Sequence, residues 1–338
     1  MRKRKTVVFG ACGFVGSYLH DYFPDFLGID IESNLGRKFK NKFVYGDIRK
    51  KRLFESLGLL FPGIECCINV SSFQPDYSTN GRKDLSRYIE TNTIGTMNIM
   101  DFCVAYRIPK FIHVVSHRSV IGEYADEDAP YRIDYGSEFA EFAISEMAAM
   151  EMAKCYEKKF GLNTIILRVP SIIGYGSHLE GFREGKYYKT GLLTFIENAM
   201  NGLPIVVYGD PLAGRDIVYV KDVASAIMRA KESDVSGLYN ISSGKILTLE
   251  EEVAVIKEVF CENGESAVIY DMAKRNDIEW CLYNIDKARK ELNWNPKYLD
   301  FRDMMIDFRI EMKTGRQGFL VDTRKRKIAE AKTFFEGR

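Results

Sequence analysis

The chain has 338 residues, 46% of them hydrophobic and 28% charged, with 48 Lys+Arg against 47 Asp+Glu for a formal net charge of +1. At roughly 150 residues per domain this length excludes a single small module and fits two domains, or one large domain with an appendage. The composition excludes a disordered or fibrous chain, and the balanced charge gives no global pull toward nucleic acid or an anionic membrane.

In chain order, the basic start Met1-Arg-Lys-Arg-Lys5 meets only a few apolar residues before Gly10, and nowhere do ~20 apolar residues run together. Neither a secretory leader nor a membrane span is expected. Short apolar, β-branched runs then alternate with longer amphipathic stretches, which predicts βαβ units and a parallel sheet. Strands are expected at 6–9, 26–31, 43–45, 65–71, 111–116 and 164–169, with the two longest helices at 85–106 and 137–160. In the second helix Phe142, Met147, Met150, Met152 and Ala153 fall on more than one face, as in an ordinary internal helix or one that forms a dimer. The Gly- and Tyr-rich stretch 174–190 reads as a long loop of the kind that often carries function. A helix at 192–201, strands at 205–208 and 216–220, and helices at 221–231, 249–260 and 301–312 follow, then a charged tail. The seven cysteines are an odd set without CxxC pairs or neighbouring histidine clusters, so disulfides and metal sites are not expected and a reducing cytoplasm fits best.

The first strand runs straight into Gly10-Ala-Cys12-Gly13-Phe14-Val15-Gly16 and a helical pattern. In that context Gly10 permits a tight turn, Gly13 lets the backbone approach a pyrophosphate, and Gly16 allows close helix–strand packing. The helix N-terminus offers N–H groups to the phosphates. Asp30, before Ile31 at the end of the second strand, suits the ribose hydroxyls of an adenine dinucleotide and repels a 2′-phosphate, so NAD is expected over NADP. Asp47 and Ile48 close the third strand where side chains could meet the adenine edge, although Asp after a strand is also a common turn residue.

The order of motifs resembles the extended short-chain dehydrogenase/reductase family, the NAD-dependent nucleotide-sugar epimerases and dehydratases, over about residues 5–310. The resemblance rests further on Ile68-Asn-Val70-Ser71-Ser72, Asn92-Thr-Ile-Gly-Thr96, Leu167-Arg-Val-Pro170-Ser171-Ile-Ile-Gly174, Asn240-Ile-Ser-Ser-Gly244 and Ala288-Arg-Lys-Glu-Leu-Asn-Trp294-Asn-Pro296. It implies an α/β fold: a Rossmann-type doubly wound parallel sheet, residues 1–173 plus about 215–243, with a smaller α/β substrate domain of about 174–214 plus 244–315 and a peripheral tail at 316–338. It implies cofactor contacts from Val70, Ser71, Ser72, Asn92, Val115, Ser116, Glu146, Pro170 and Ser171 in addition to the glycine loop. The implied substrate is a nucleotide-diphosphate sugar, with Val207 and Arg215 in the nucleotide-binding stretch and Lys274 or Arg275 near a second phosphate position, where the family motif is degraded to Lys-Arg-Asn-Asp277. The charged fork of Arg215 suits a diphosphate, though it could equally pair with a neighbouring acid. Ser171 and, in the long stretch, His178 could touch substrate.

The catalytic set departs from the family. Counting from Phe160-Gly161 and Arg168 puts Phe142 at the position of the family's proton-transferring Tyr and Glu146 at that of its Lys; counting from Gly122 puts His117 at the Ser/Thr position. A phenyl ring exchanges no proton, and a carboxylate near the nicotinamide favours the oxidised, cationic ring. His117, with an ordinary pKa of ~6.5, is the replacement that brings proton-transfer capacity, unless it is simply a packed histidine. Tyr131 and Tyr135 are other possible proton carriers. Two functions follow: an NAD-dependent oxidation, epimerisation or dehydration of a nucleotide sugar with a reassigned proton carrier, or a catalytically silent protein that binds NAD or a nucleotide sugar. The resemblance also implies a homodimer paired through a helix bundle, with no membrane or nucleic-acid partner.

Overall fold

Seven strands form one parallel sheet: β1 (Lys5–Phe9), β2 (Phe26–Asp30), β3 (Lys42–Tyr45), β4 (Ile64–Asn69), β5 (Lys110–Ser116), β6 (Asn163–Val169) and β7 (Gly237–Asn240). Their spatial order is 7-6-5-4-1-2-3, the doubly wound arrangement the sequence predicts. The computed structural model describes residues 5–32, 42–74, 85–120, 124–183, 186–262, 265–276, 278 and 280–315. Gly122, Asp277 and the tail 316–338 lie outside these.

The strands are apolar on both faces because helices cover both. On one face Val8, Ile68, Ile112, Ile165 and Leu167 pack with Val223, Ala226 and Ile227 of the helix Val220–Glu232. On the other, Val7, Phe9, Cys67, Phe111 and Ile166 pack with residues of the helices Lys51–Leu60, Thr96–Ala105 and Ala140–Phe160. Alternate residues along each strand serve opposite layers, the period-2 rule of a pleated strand.

A second core gathers Ile196, Ile205, Val207, Ile217, Ile256, Phe260, Met304 and Phe308. It joins the helices Gly191–Met200, Leu249–Phe260 and Phe301–Thr314 to short strands, with Ile205–Tyr208 running parallel to Val268–Asp271. The strand Gly214–Tyr219 ties this region back to the first through parallel pairing with Ser171–Ile173.

Among the departures from the sequence expectation, three bear on the packing described here. The stretch read as a loop over 174–190 contains an antiparallel pair, Glu180–Arg183 with Lys186–Lys189, whose register sets Tyr187 opposite Phe182; aromatic strand formers outweigh the glycines and charges there. The helix expected over 85–106 is interrupted by a π-helical stretch, Ile89–Gly95, whose extra residue turns Asn92 and Thr93 onto the neighbouring helix, where they bond Ser145. Finally, Leu282–Tyr283 pairs in parallel with Tyr124–Ala125, a two-residue contact too short to leave a sequence pattern.

Candidate functional site

The strand order reverses between β1 and β4, and the carboxyl ends of strands at such a point leave a crevice for a ligand. Gly10 leaves β1 with φ +83°, and a Cβ on it would stand 2.6 Å from the Ser71 nitrogen. A Cβ on Gly16 would stand 2.2 Å from the Gly10 carbonyl oxygen, so packing alone demands glycine at both positions. Gly13 is different: its added Cβ would meet only the Gly10 oxygen, at 3.3 Å, so its missing side chain serves the space outside the loop. The helical turn that begins at Phe14 has no side-chain cap, and an anion is the natural partner of such an end.

Asp30 closes this cradle, accepting hydrogen bonds from the Cys12 N–H at 2.8 Å and the Glu32 N–H at 3.1 Å. Burial raises its carboxyl to about 6 despite those bonds, so it is ionised at neutral pH and disfavours a 2′-phosphate. The cradle and the acid together fit NAD. Ile31 follows in an exposed position. Asp47 is held differently: burial pushes its carboxyl up, but hydrogen bonds from the Arg49 side chain, at 2.6 Å and 3.0 Å, outweigh this and keep it below its ordinary value. It also accepts from the Arg49 N–H and so acts as a turn residue before the helix Lys51–Leu60. Ile48 is buried where a side chain on Gly95 would strike it.

Asn92 does not reach the crevice as expected. It is 1% exposed and its amide is committed, accepting from the Phe73 N–H at 2.7 Å and donating to the Phe73 carbonyl at 3.0 Å and the Ser145 hydroxyl at 2.9 Å. Its role is to hold the segment that carries Val70, Ser71 and Ser72 against the helix Ala140–Phe160. Val115 is likewise buried in the core.

Glu146, on that same helix, is 2% exposed and accepts from the Ser72 hydroxyl at 2.9 Å and the Ser116 N–H at 3.1 Å. No cation is among these partners, and burial, only partly offset by the two bonds, raises its carboxyl to about 7. Phe142, one turn earlier, packs with Phe73 and Tyr88 in an aromatic cluster, a buried phenyl ring at the position that the sequence resemblance assigns to a tyrosine.

His117 follows β5 and lines a cleft with Arg118, Ser171, Arg215, Asp216, Cys281 and Tyr283. Its Nδ1 lies 2.9 Å from the Tyr283 hydroxyl, whose second contact is the Val120 carbonyl at 3.4 Å. If Tyr283 donates to Val120, the ring carries its proton on Nδ1 and keeps a lone pair on Nε2, an assignment made from the hydrogen bonds. Burial, then the charges of Arg118, Arg168 and Arg215, lowers the ring to about 3. The expectation of a histidine titrating near neutral pH is therefore corrected: the ring is neutral, and burial brings the Glu146 carboxyl, not this ring, to about 7. Burial likewise drives the Tyr283 hydroxyl well above its ordinary value.

The remaining expected residues divide sharply. Ser171 and Arg215 line the cleft, with an Arg215 guanidinium nitrogen 3.1 Å from the buried Glu252 carboxylate. Pro170 is buried beside Ser171. His178 stacks on Phe14 of the glycine loop, ring centroids 3.7 Å apart; Phe14 sits so close beneath Gly174 and Gly176 that a Cβ on either would strike it, at 2.9 Å and 2.6 Å. Val207, expected at the substrate, is a fully buried core residue, so its side chain cannot contact one. Lys274 lies over the Tyr208 ring at 4.3 Å, and Arg275 is exposed. Tyr135 is 81% exposed and cannot serve the cleft. Tyr131 instead donates to Glu151 at 2.5 Å. Tyr283 and Arg118 carried no motif and were missed; only the fold brings Tyr283 to His117.

A sequence model of the NAD-dependent epimerase/dehydratase family matches residues 6–242. The chain belongs to that family. Over 315 residues it is 26% identical to the low-salt glycan biosynthesis protein of Haloferax volcanii, covering 87% of this chain and 94% of that one. Among solved structures it resembles the UDP-N-acetylglucosamine 4-epimerase of Methanobrevibacter ruminantium in complex with UDP-N-acetylmuramic acid, at TM-score 0.76 and 20% identity over 93% of this chain and 99% of that one. It also resembles the UDP-glucose 4-epimerase of Thermus thermophilus in complex with NAD, at TM-score 0.69 and 22% identity, covering 90% and 99%. The expected fold, the expected family and NAD as cofactor are thereby borne out.

Proposed function

We propose that the protein acts on a nucleoside-diphosphate sugar with NAD, by oxidation alone or by epimerisation or dehydration through a transient keto sugar. One observation carries the reading: Phe14, in the glycine loop beside the cradle with Asp30, packs against Gly174, Gly176 and His178, a few residues beyond Ser171 of the cleft that holds Arg215 and His117. Relatives named for UDP-sugars support it. Gly10, Gly13, Gly16, Asp30, Ser71 and Ser72 would hold NAD, which supplies a hydride acceptor when bound. Arg215, braced by Glu252, would take the diphosphate. His117, neutral and backed by Tyr283, would hydrogen-bond the reacting sugar hydroxyl, while Glu146, through the Ser72 hydroxyl, would be the group that changes protonation. The division of labour between 1–173 plus about 215–243 and about 174–214 plus 244–315, and a homodimer paired through helices, belong to the same proposal.

A second reading, a silent binding protein, is favoured by Phe142, a packed phenyl ring where the family moves its proton. The test is to identify the cofactor that purifies with the protein, then add UDP-, GDP-, dTDP- and CDP-sugars while following reduced nicotinamide and the sugar products. Conversion of one of them, lost in His117→Ala, is the expected result. Saturable binding with no conversion of any would establish the silent reading instead.

A further inference from the structure

The oxidised and reduced forms of a nicotinamide differ by one positive charge, and a buried acid lies where that difference would be felt. The strands β2, β1, β4 and β5 stand side by side in that order. A dinucleotide with its adenine ribose on Asp30, at the end of β2, and its pyrophosphate on the loop after β1 therefore extends over the carboxyl ends of β4 and β5. Ser72 follows β4 and Ser116 ends β5, both partly exposed there. The Ser72 hydroxyl and the Ser116 N–H donate to the same carboxylate behind them, Glu146, at 2.9 Å and 3.1 Å.

Among the described residues, burial opposed by those two bonds sets the Glu146 carboxyl, with no charged group contributing. On its own helix the positions one turn away are Phe142, Ala143, Ala149 and Met150, all uncharged. On the elements packed against that helix, Arg87 lies over the Phe73 ring at 4.6 Å and Arg118 over the Phe139 ring at 4.1 Å. Glu90 is 3.6 Å from Arg49, Asp101 accepts from the Tyr156 hydroxyl, and Cys103 hydrogen-bonds Cys67. Lys110 and Arg168 donate to backbone carbonyls, and burial holds the His113 and His117 rings neutral, at about 4 and about 3.

From this placement we infer that Glu146 is the counter-charge of the nicotinamide, ionised while the ring is oxidised and cationic and protonated once the ring is reduced and neutral. The inference rests on NAD lying in the crevice, as under Proposed function, and not on which sugar is bound. A sugar oxidised at this site breaks a C–H bond, whose electron pair leaves with the hydride for the ring, and an O–H bond, whose proton is left over as the carbonyl forms. The Ser72 hydroxyl can take that proton while passing its own to Glu146. Before the step the ring carries one positive charge and Glu146 one negative; after it both are neutral, and the reverse step returns hydride and proton. In so dry a site an uncompensated charge in either state is costly. With its carboxyl raised by burial to about 7, Glu146 can exchange the proton near neutral pH.

The experiment dialyses the protein as purified to equilibrium against an equal mixture of NAD and NADH at pH values from 6 to 8, then releases the bound cofactor and reads its reduced fraction by absorbance. Wild type, Glu146→Gln and Ser72→Ala are compared, with circular dichroism to confirm folding. In wild type the bound ratio of NADH to NAD should rise roughly tenfold as pH falls from 8 to 6, a coupling of ordinary size. Glu146→Gln should hold one ratio across the range. Ser72→Ala, which lacks a donor to the anion, should move the midpoint of the change to higher pH. A constant wild-type ratio, or one that still rises in Glu146→Gln, would overturn the inference and leave NAD in the crevice. An unmoved midpoint in Ser72→Ala would also overturn it, by placing the titration on another group. Retention of neither form would remove the underlying reading, and this inference with it.

Discussion

Replacing Glu146 by Gln should stabilise the protein, and only at neutral to alkaline pH. The carboxyl is buried with two donors and, among the described residues, no cation beside it, and its pKa is raised from 4.5 to about 7. Folding therefore favours the protonated form. Below the unfolded value near 4.5 the native and unfolded states are both protonated and the site costs nothing. As pH rises through the window from 4.5 to about 7 the unfolded state loses its proton first, and native stability falls. Above that window the cost is complete, at about 3 kcal/mol given about 1.4 kcal/mol per tenfold change in proton affinity. Gln is nearly isosteric and can accept from the Ser116 N–H while donating to Ser72, so it removes the charge without opening a cavity. Other acids with raised values, such as Asp216 and Asp222, cancel when variant and parent are compared at the same pH. Denaturant unfolding at pH 5 and pH 8 measures the double difference. The variant should gain about 3 kcal/mol at pH 8 and little at pH 5. An equal effect at both values would show that Glu146 is not a desolvated acid and would refute the reasoning.

Four further outcomes are expected. Gly16→Ala forces a Cβ onto the Gly10 carbonyl, 2.2 Å away; the thermal midpoint should drop and NADH fluorescence titration should show affinity reduced more than tenfold, whereas an unaltered NADH affinity would contradict the packing argument. Asp30→Ser removes the charge that repels a 2′-phosphate together with the acceptor for the Cys12 N–H; the ratio of NADP to NAD affinity should rise, and a ratio that stays constant would remove Asp30 from cofactor selection. In the enzyme reading His117→Ala should lower kcat by ~100-fold or more with little change in UDP affinity, and Tyr135→Phe should leave kcat alone. Tyr283→Phe, which takes away the hydroxyl 2.9 Å from His117, should lower kcat in the same direction; a rate equal to wild type would show that the pair does not act together.

Periodicity and spacing made the parallel sheet and the glycine cradle legible, since both are local: the strand, the turn and Asp30 lie within about 25 residues of one another. Counting along the resemblance singled out Phe142, Glu146 and His117, but the surroundings that decide what they can do were not legible that way. Whether a histidine is a base depends on burial and on Arg168 and Arg215, distant in sequence. Asn92 misled for a related reason, because a π-helical turn aims its amide at Phe73 rather than at the crevice. Val207 belongs to a motif that resembles a nucleotide-binding stretch, yet strand alternation turns its side chain into the second core. Tyr283 needed the whole fold, 166 residues separating it from His117.

The most direct test of the account is a crystal structure of the protein grown with NAD and UDP together. In that structure the adenine ribose hydroxyls should lie on Asp30, the dinucleotide pyrophosphate on the loop from Gly10 to Gly16, and the UDP diphosphate on Arg215, with the two ligands meeting beside His117. Density for either ligand outside this crevice and cleft, with the loop or Arg215 bare at saturating concentrations, would contradict it.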